Sequence, residues 1–132
     1  MPRIKILLAE DDGDDQKLFR DFLQHREDIL ILPIAENGVD LITKLEEIPG
    51  KGSLPDLIIL DQNMPRQNGL QTLQYLKESE PYRNIPVVIY STYCDNNLIK
   101  KCTDHGACAV VTKPISREGY EEMLDELLKF IP

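Results

Sequence analysis

Four short stretches carry residues that could do chemistry together: Glu10-Asp11-Asp12, Asp61, Ser91-Thr92 and Lys113-Pro114. Each follows or closes an apolar run. Asp11, Asp12 and Asp61 gathered in one pocket would repel one another, and loss of water would add to the cost. A hard divalent cation relieves both problems. Magnesium prefers oxygen ligands and keeps several waters, so one or two carboxylates and a carbonyl suit it, with Mn2+ as the alternative ion. Lys113 adds a compact positive charge able to pair with a carboxylate or a phosphoryl oxygen. Ser91 adds a hydroxyl donor. A carboxylate beside a cation, a lysine and a hydroxyl is a good phosphoryl acceptor, because its neighbours neutralise charge on the transferring oxygens while it attacks in line. Asp61, at the end of "LIILD", is the residue this pattern puts in the nucleophile's place.

Such groups meet only if the chain brings the ends of distant segments together. Apolar periodicity alternates in a way that does this. Residues 4–9, 29–32, 57–60, 87–90 and 107–111 are short apolar runs. Between and after them, apolar residues recur at helical spacing: Leu18, Phe19, Phe22 and Leu23; Leu41, Ile42 and Leu45; Leu70, Leu73 and Leu76; Leu98, Ile99 and Cys102; Tyr120, Leu124, Leu127 and Ile131. That is strand then helix, five times over. Runs that are apolar throughout suit strands covered on both faces, as in a parallel sheet flanked by helices. Asn37-Gly38, Asn68-Gly69 and Ser116 mark helix starts, and residues 49–55, "PGKGSLP", read as the longest clear loop. The predicted fold class is therefore α/β, a doubly wound parallel sheet of five strands with five helices. In such a sheet the carboxyl ends of the strands share one edge, and ligands bind there where strand order reverses. Asp14 and Asp15 read as solvated acids at the positive end of the first helix.

Length and composition set the remaining bounds. At 132 residues the chain has the size of one domain, expected over 1–132 with no output domain. Its net charge of −8 argues against a nucleic-acid partner, which needs a basic footprint. No apolar stretch approaches the roughly 20 residues that cross a bilayer, and the N-terminus lacks the pattern of a signal peptide. The expectation is a cytoplasmic protein with no membrane partner. Cys94, Cys102 and Cys108 form no Cys-x-x-Cys pair, and they read as small core residues of a reduced protein.

The stretches "LLAEDD" (7–12), "LIILDQNMP" (57–65) with Asn68-Gly69, "VVIYST" (87–92) and "VVTKP" (110–114) resemble the receiver domain of two-component response regulators, the CheY-like family. Each motif alone is weak; four in order, each at a strand end, are specific. The resemblance runs from about Ile4 to Phe130 and implies strand order 2-1-3-4-5. It implies that Asp61 is phosphorylated, that Asp12 holds Mg2+ directly and Asp11 through water, and that the backbone carbonyl of Asn63 is a further ligand. Ser91 would bind the phosphoryl group and move toward it, and Lys113 would pair with it. Pro114 would follow a cis bond. The family's switching aromatic residue before the lysine is replaced here by Val110, with Val111 next to it, and Tyr90 and Tyr93 flank Ser91 as substitutes.

The implied function is that of a stand-alone receiver. It would accept a phosphoryl group from a sensor histidine kinase, a phosphotransfer protein or a small phosphodonor. It would switch a downstream protein through the face of the fourth helix, fifth strand and fifth helix. A homodimer through the same region fits the resemblance as well. No external substrate would be turned over, so the chain is expected not to be an enzyme. An aspartyl-nucleophile phosphatase would want an acid two residues after Asp61, where Asn63 stands. A receiver-like scaffold without phosphorylation is the other alternative, and the retained acidic, hydroxyl and lysine groups argue against it.

Overall fold

In the computed structural model, which describes residues 3–132 apart from the Lys51 side chain, each apolar run becomes a strand. These are β1 (Ile4–Ala9), β2 (Ile29–Ile31), β3 (Leu57–Asp61), β4 (Val87–Ser91) and β5 (Ala109–Thr112). All pair in parallel, in the order β2-β1-β3-β4-β5. Between and after them lie α1 (Gly13–Leu23), α2 (Gly38–Glu46), α3 (Gly69–Glu78), α4 (Asn96–Asp104) and α5 (Arg117–Leu128). Within residues 49–55, Lys51–Ser53 form a single 3-10 turn.

The helices start where short polar side chains can take up a free amide. Asp12, Asn37, Asn68, Asp95 and Ser116 each cap one helix, and each accepts a backbone N–H two or three residues on. At α3, Gln71 returns a bond to the Asn68 amide and completes a capping box. Element ends differ slightly from the apolar runs. β2 stops at Ile31, β5 begins at Ala109, and α5 ends at Leu128, short of Ile131.

Alternate residues of each strand enter opposite cores, which is why the strands are apolar on both sides. Leu7, Ala9, Ile58, Leu60, Val87 and Ile89 pack with Leu41, Leu45, Leu73, Leu76 and Cys102 of α2, α3 and α4. Ile6, Leu8, Leu57, Ile59, Val88 and Tyr90 pack with Phe19, Leu23, Tyr120, Leu124 and Leu127 of α1 and α5. Of the cysteines only Cys102 is a core residue; Cys94 is half-buried and Cys108 is exposed, so the expectation of three core thiols is corrected. No helix among the described residues is long and apolar enough to cross a membrane.

The register sets up the site. Ala9 lies abreast of Leu60, Asp61 abreast of Tyr90, and Ser91 abreast of Thr112. The carboxyl ends of β1, β3, β4 and β5 are therefore nearly flush. From β1 the chain winds out to β2, and from β3 it winds the other way to β4 and β5. The resulting crevice opens between the ends of β1 and β3.

Candidate functional site

Asp61 ends β3 and is only 2% exposed. Its Oδ1 accepts a bond from the Asn63 amide at 3.3 Å and lies 3.3 Å from Lys113 Nζ. Lys113, just past β5, also lies 2.9 Å from Glu10 Oε1 and 3.1 Å from Asp15 Oδ2. One lysine therefore joins three acids from three separate stretches. Glu10, Asp11 and Asp61 each offer a carboxylate oxygen within 4.8 Å of the others. Ser91 ends β4, is 1% exposed, and its hydroxyl has no hydrogen-bond partner. A buried polar atom without a partner costs free energy unless something else completes its bonding.

The electrostatics follow from this crowding. Burial and then the neighbouring Glu10 carboxylate push the Asp61 carboxyl up to about 8, and Lys113 only partly offsets them. Burial opposes the charge on Lys113, but hydrogen bonds to Glu10 and Asp15 outweigh it and raise its pKa. Between them these groups place more negative charge in the pocket than one lysine balances. Among the described residues, the grouped Glu10, Asp11 and Asp61 form an oxygen-rich set of the kind a hard divalent ion binds.

Asp12 stands apart from this set, contrary to the sequence-based expectation. Its exposed side chain accepts the Asp14 amide at 2.9 Å as the N-cap of α1, while its own amide donates to Glu10 Oε2 at 3.1 Å. Glu10 takes the inner place instead. The physical reason is the sheet register. With Ala9 abreast of Leu60, the next residue of each strand comes level, and those residues are Glu10 and Asp61. By Asp12 the chain has already turned into α1. Asp15 is a second difference, since it reaches inward to Lys113 rather than only facing solvent at the helix start.

One further expectation is corrected. The described residues contain no cis peptide bond, so Lys113–Pro114 is trans, the form a prolyl bond ordinarily favours. Of the two aromatic residues flanking Ser91, Tyr90 lies inside the fold. It is fully buried in the α1 and α5 core, and its hydroxyl donates to Glu10 Oε1 at 2.6 Å. Tyr93 is 75% exposed, and Val110 is half-buried.

The loop after β3 is shaped to leave room. A Cβ on Gly69 would come within 2.7 Å of the Asp61 carbonyl oxygen, so only glycine lets α3 start this close to the strand end. On the β4 side, an open pocket of about 430 Å³ is lined by Asn63, Asn68, Ser91, Tyr93 and Lys101, among others.

Comparison with known proteins agrees with this fold. The response regulator receiver domain family matches residues 6–125, and the chain belongs to that family. The chain is 30% identical over 133 residues to a protein-glutamate methylesterase/protein-glutamine glutaminase of Clostridium acetobutylicum, which covers 99% of this chain and 36% of that protein. It is 28% identical over 123 residues to the osmosensing histidine protein kinase SLN1 of Saccharomyces cerevisiae, covering 93% of this chain and 10% of that one. The chain thus spans about a third or less of the length of these relatives. Among solved structures, the phosphorylated cyanobacterial phytochrome response regulator RcpA superposes with a TM-score of 0.82 at 24% identity, over 98% of this chain and 94% of that one. That likeness is one of fold.

Proposed function

We propose that this domain is a divalent-cation-dependent phosphoryl acceptor, with Asp61 as the nucleophile. The observation that carries the reading is the convergence on Asp61. A buried carboxylate lies 3.3 Å from a lysine and within a three-acid group, beside a buried serine hydroxyl with no partner. A structural ion pair needs one acid for its lysine, whereas Glu10 and Asp15 share Lys113 with Asp61. Asp61 is held in an environment that penalises its charge and waits for a counter-charge.

Glu10, Asp11 and Asp61, with the Asn63 carbonyl, would hold Mg2+ or Mn2+. When bound, such an ion neutralises charge on the transferring phosphoryl oxygens. The chain's own groups do the rest. An Asp61 carboxylate oxygen forms a bond to phosphorus as the P–N bond to a phosphohistidine breaks, and the imidazole leaves with that electron pair. Lys113 pairs with a phosphoryl oxygen, and the Ser91 hydroxyl, unpartnered until then, donates to another. Hydrolysis by water later returns Asp61. Asn63 offers no acidic side chain two residues after Asp61, so no external phosphoester is turned over.

The donor would be a sensor histidine kinase or a phosphotransfer protein, with small phosphodonors as substitutes. The output would pass through the surface of α4, β5 and α5 to a downstream protein. β5 is an edge strand, and a shallow, mainly apolar groove lies beside it along Val111, Pro114, Gly119 and Met123. The test is to incubate the protein with Mg2+ and acetyl phosphate and record its intact mass. One added phosphate is expected, stable in acid, labile in base, and absent in Asp61→Asn. No labelling by acetyl phosphate or by any histidine kinase would favour a binding scaffold, and rapid turnover of a phosphoester would favour a phosphatase.

A further inference from the structure

We infer that Tyr90 is a positioning residue for the cation site, acting through Glu10; this rests on the proposal that Glu10, Asp11 and Asp61 bind a divalent ion. Tyr90 is the penultimate residue of β4, abreast of Asp61 in the sheet. Its hydroxyl donates to Glu10 Oε1 at 2.6 Å, the length of a charge-assisted bond. Its ring lies under Lys113, with Nζ 5.0 Å from the centroid. The same Glu10 oxygen is 2.9 Å from Lys113, and its other oxygen accepts the Asp12 amide at 3.1 Å. Three donors from β4, from the chain after β5 and from the start of α1 therefore fix one carboxylate.

A buried carboxylate with this many partners has one orientation. Partners that orient a metal-ligating group commonly change metal affinity by tenfold or more when removed. A phenylalanine would keep the ring in the α1 and α5 core and beneath Lys113, and would delete only the bond to Glu10. Without that bond Glu10 keeps Lys113 and the Asp12 amide but loses the contact that anchors it to β4.

The test is Mn2+ binding to the wild type, Tyr90→Phe and Tyr82→Phe, followed by water-proton relaxation, with thermal melts in EDTA alongside. Tyr82 is a buried tyrosine at the opposite end of the strands. The inference predicts single-site binding in the wild type, about tenfold weaker binding in Tyr90→Phe, and unchanged binding in Tyr82→Phe. Wild-type affinity in a folded Tyr90→Phe would overturn the inference and leave the cation site standing. No binding by the wild type would overturn both. A second measurement needs no variant. Titrating Mg2+ into wild-type protein carrying 13Cζ-tyrosine should move the signal of one buried tyrosine among five with the binding curve, and five unmoved signals would count against the inference.

Discussion

Burying the Asp61 carboxyl costs the fold stability wherever an unfolded chain would ionise it. That carboxyl sits at about 8 in the folded protein and near 3.8 in an unfolded chain. As pH rises from about 4 to about 8, the unfolded chain gives up this proton while the folded protein keeps it. The folded state is then disfavoured progressively across that window, and above about 8 the penalty stops growing. Asp61→Asn should remove it. In EDTA, denaturant melts should show the variant gaining on the wild type between pH 5 and pH 8 by about 4 kcal/mol. Parallel pH profiles would contradict the burial account.

The two neighbouring acids should separate as cleanly. Glu10→Gln is expected to weaken Mn2+ binding at least tenfold. Asp12→Ala should cost about 1 kcal/mol of stability, as the loss of a helix cap, with little effect on binding. Calorimetric titration and thermal melts of the two variants check this directly. Ser91→Ala removes a buried hydroxyl with no partner, so the unliganded protein should be at least as stable as the wild type. Its melting temperature should rise less than the wild type's when beryllofluoride is added with Mg2+.

Among the elements, β3 and α3 do most to hold the site. The strand presents Asp61, and the helix starts almost against it because Gly69 carries no Cβ. Gly69→Ala forces the Asp61 carbonyl or the helix start to move, a packing conflict that costs about 1–3 kcal/mol. Chemical denaturation should register that loss, and labelling of Asp61 should slow with it. These two elements were readable in the sequence: "LIILD" as a covered strand and Asn68-Gly69 as a helix start. So were the caps at Asn37 and Ser116. The strand ends were less so. Whether β1 finishes at Ala9 or later decides which acid faces Asp61, and an apolar run that passes straight into Glu10-Asp11-Asp12 does not mark its own last pleat.

Across the whole molecule, the sequence made the sheet, its two covers and four of the converging groups, Asp11, Asp61, Ser91 and Lys113, legible, because each sits beside a pattern that can be counted. It did not reveal what those groups touch. Lys113 reaches Asp15 across 98 positions, and Tyr90 reaches Glu10 across 80. Tyr90 reads as one more apolar strand residue, and Asp15 as one more acid in a first helical turn, until the winding brings their partners alongside. A cue was present for Tyr90, since a buried tyrosine needs something for its hydroxyl to bond. The partner's identity follows only from the register of β1, β3 and β4.

The central proposal is that Asp61 takes the phosphoryl group in a cation-dependent step. The direct measurement is to treat the protein with acetyl phosphate, with Mg2+ or with EDTA, reduce it with borohydride, and map the product by tandem mass spectrometry. An aspartyl phosphate is reduced to homoserine, which marks its own position. The predicted result is homoserine at residue 61 alone, and only in the Mg2+ sample. Homoserine at another aspartate, or equal conversion in EDTA, would contradict it.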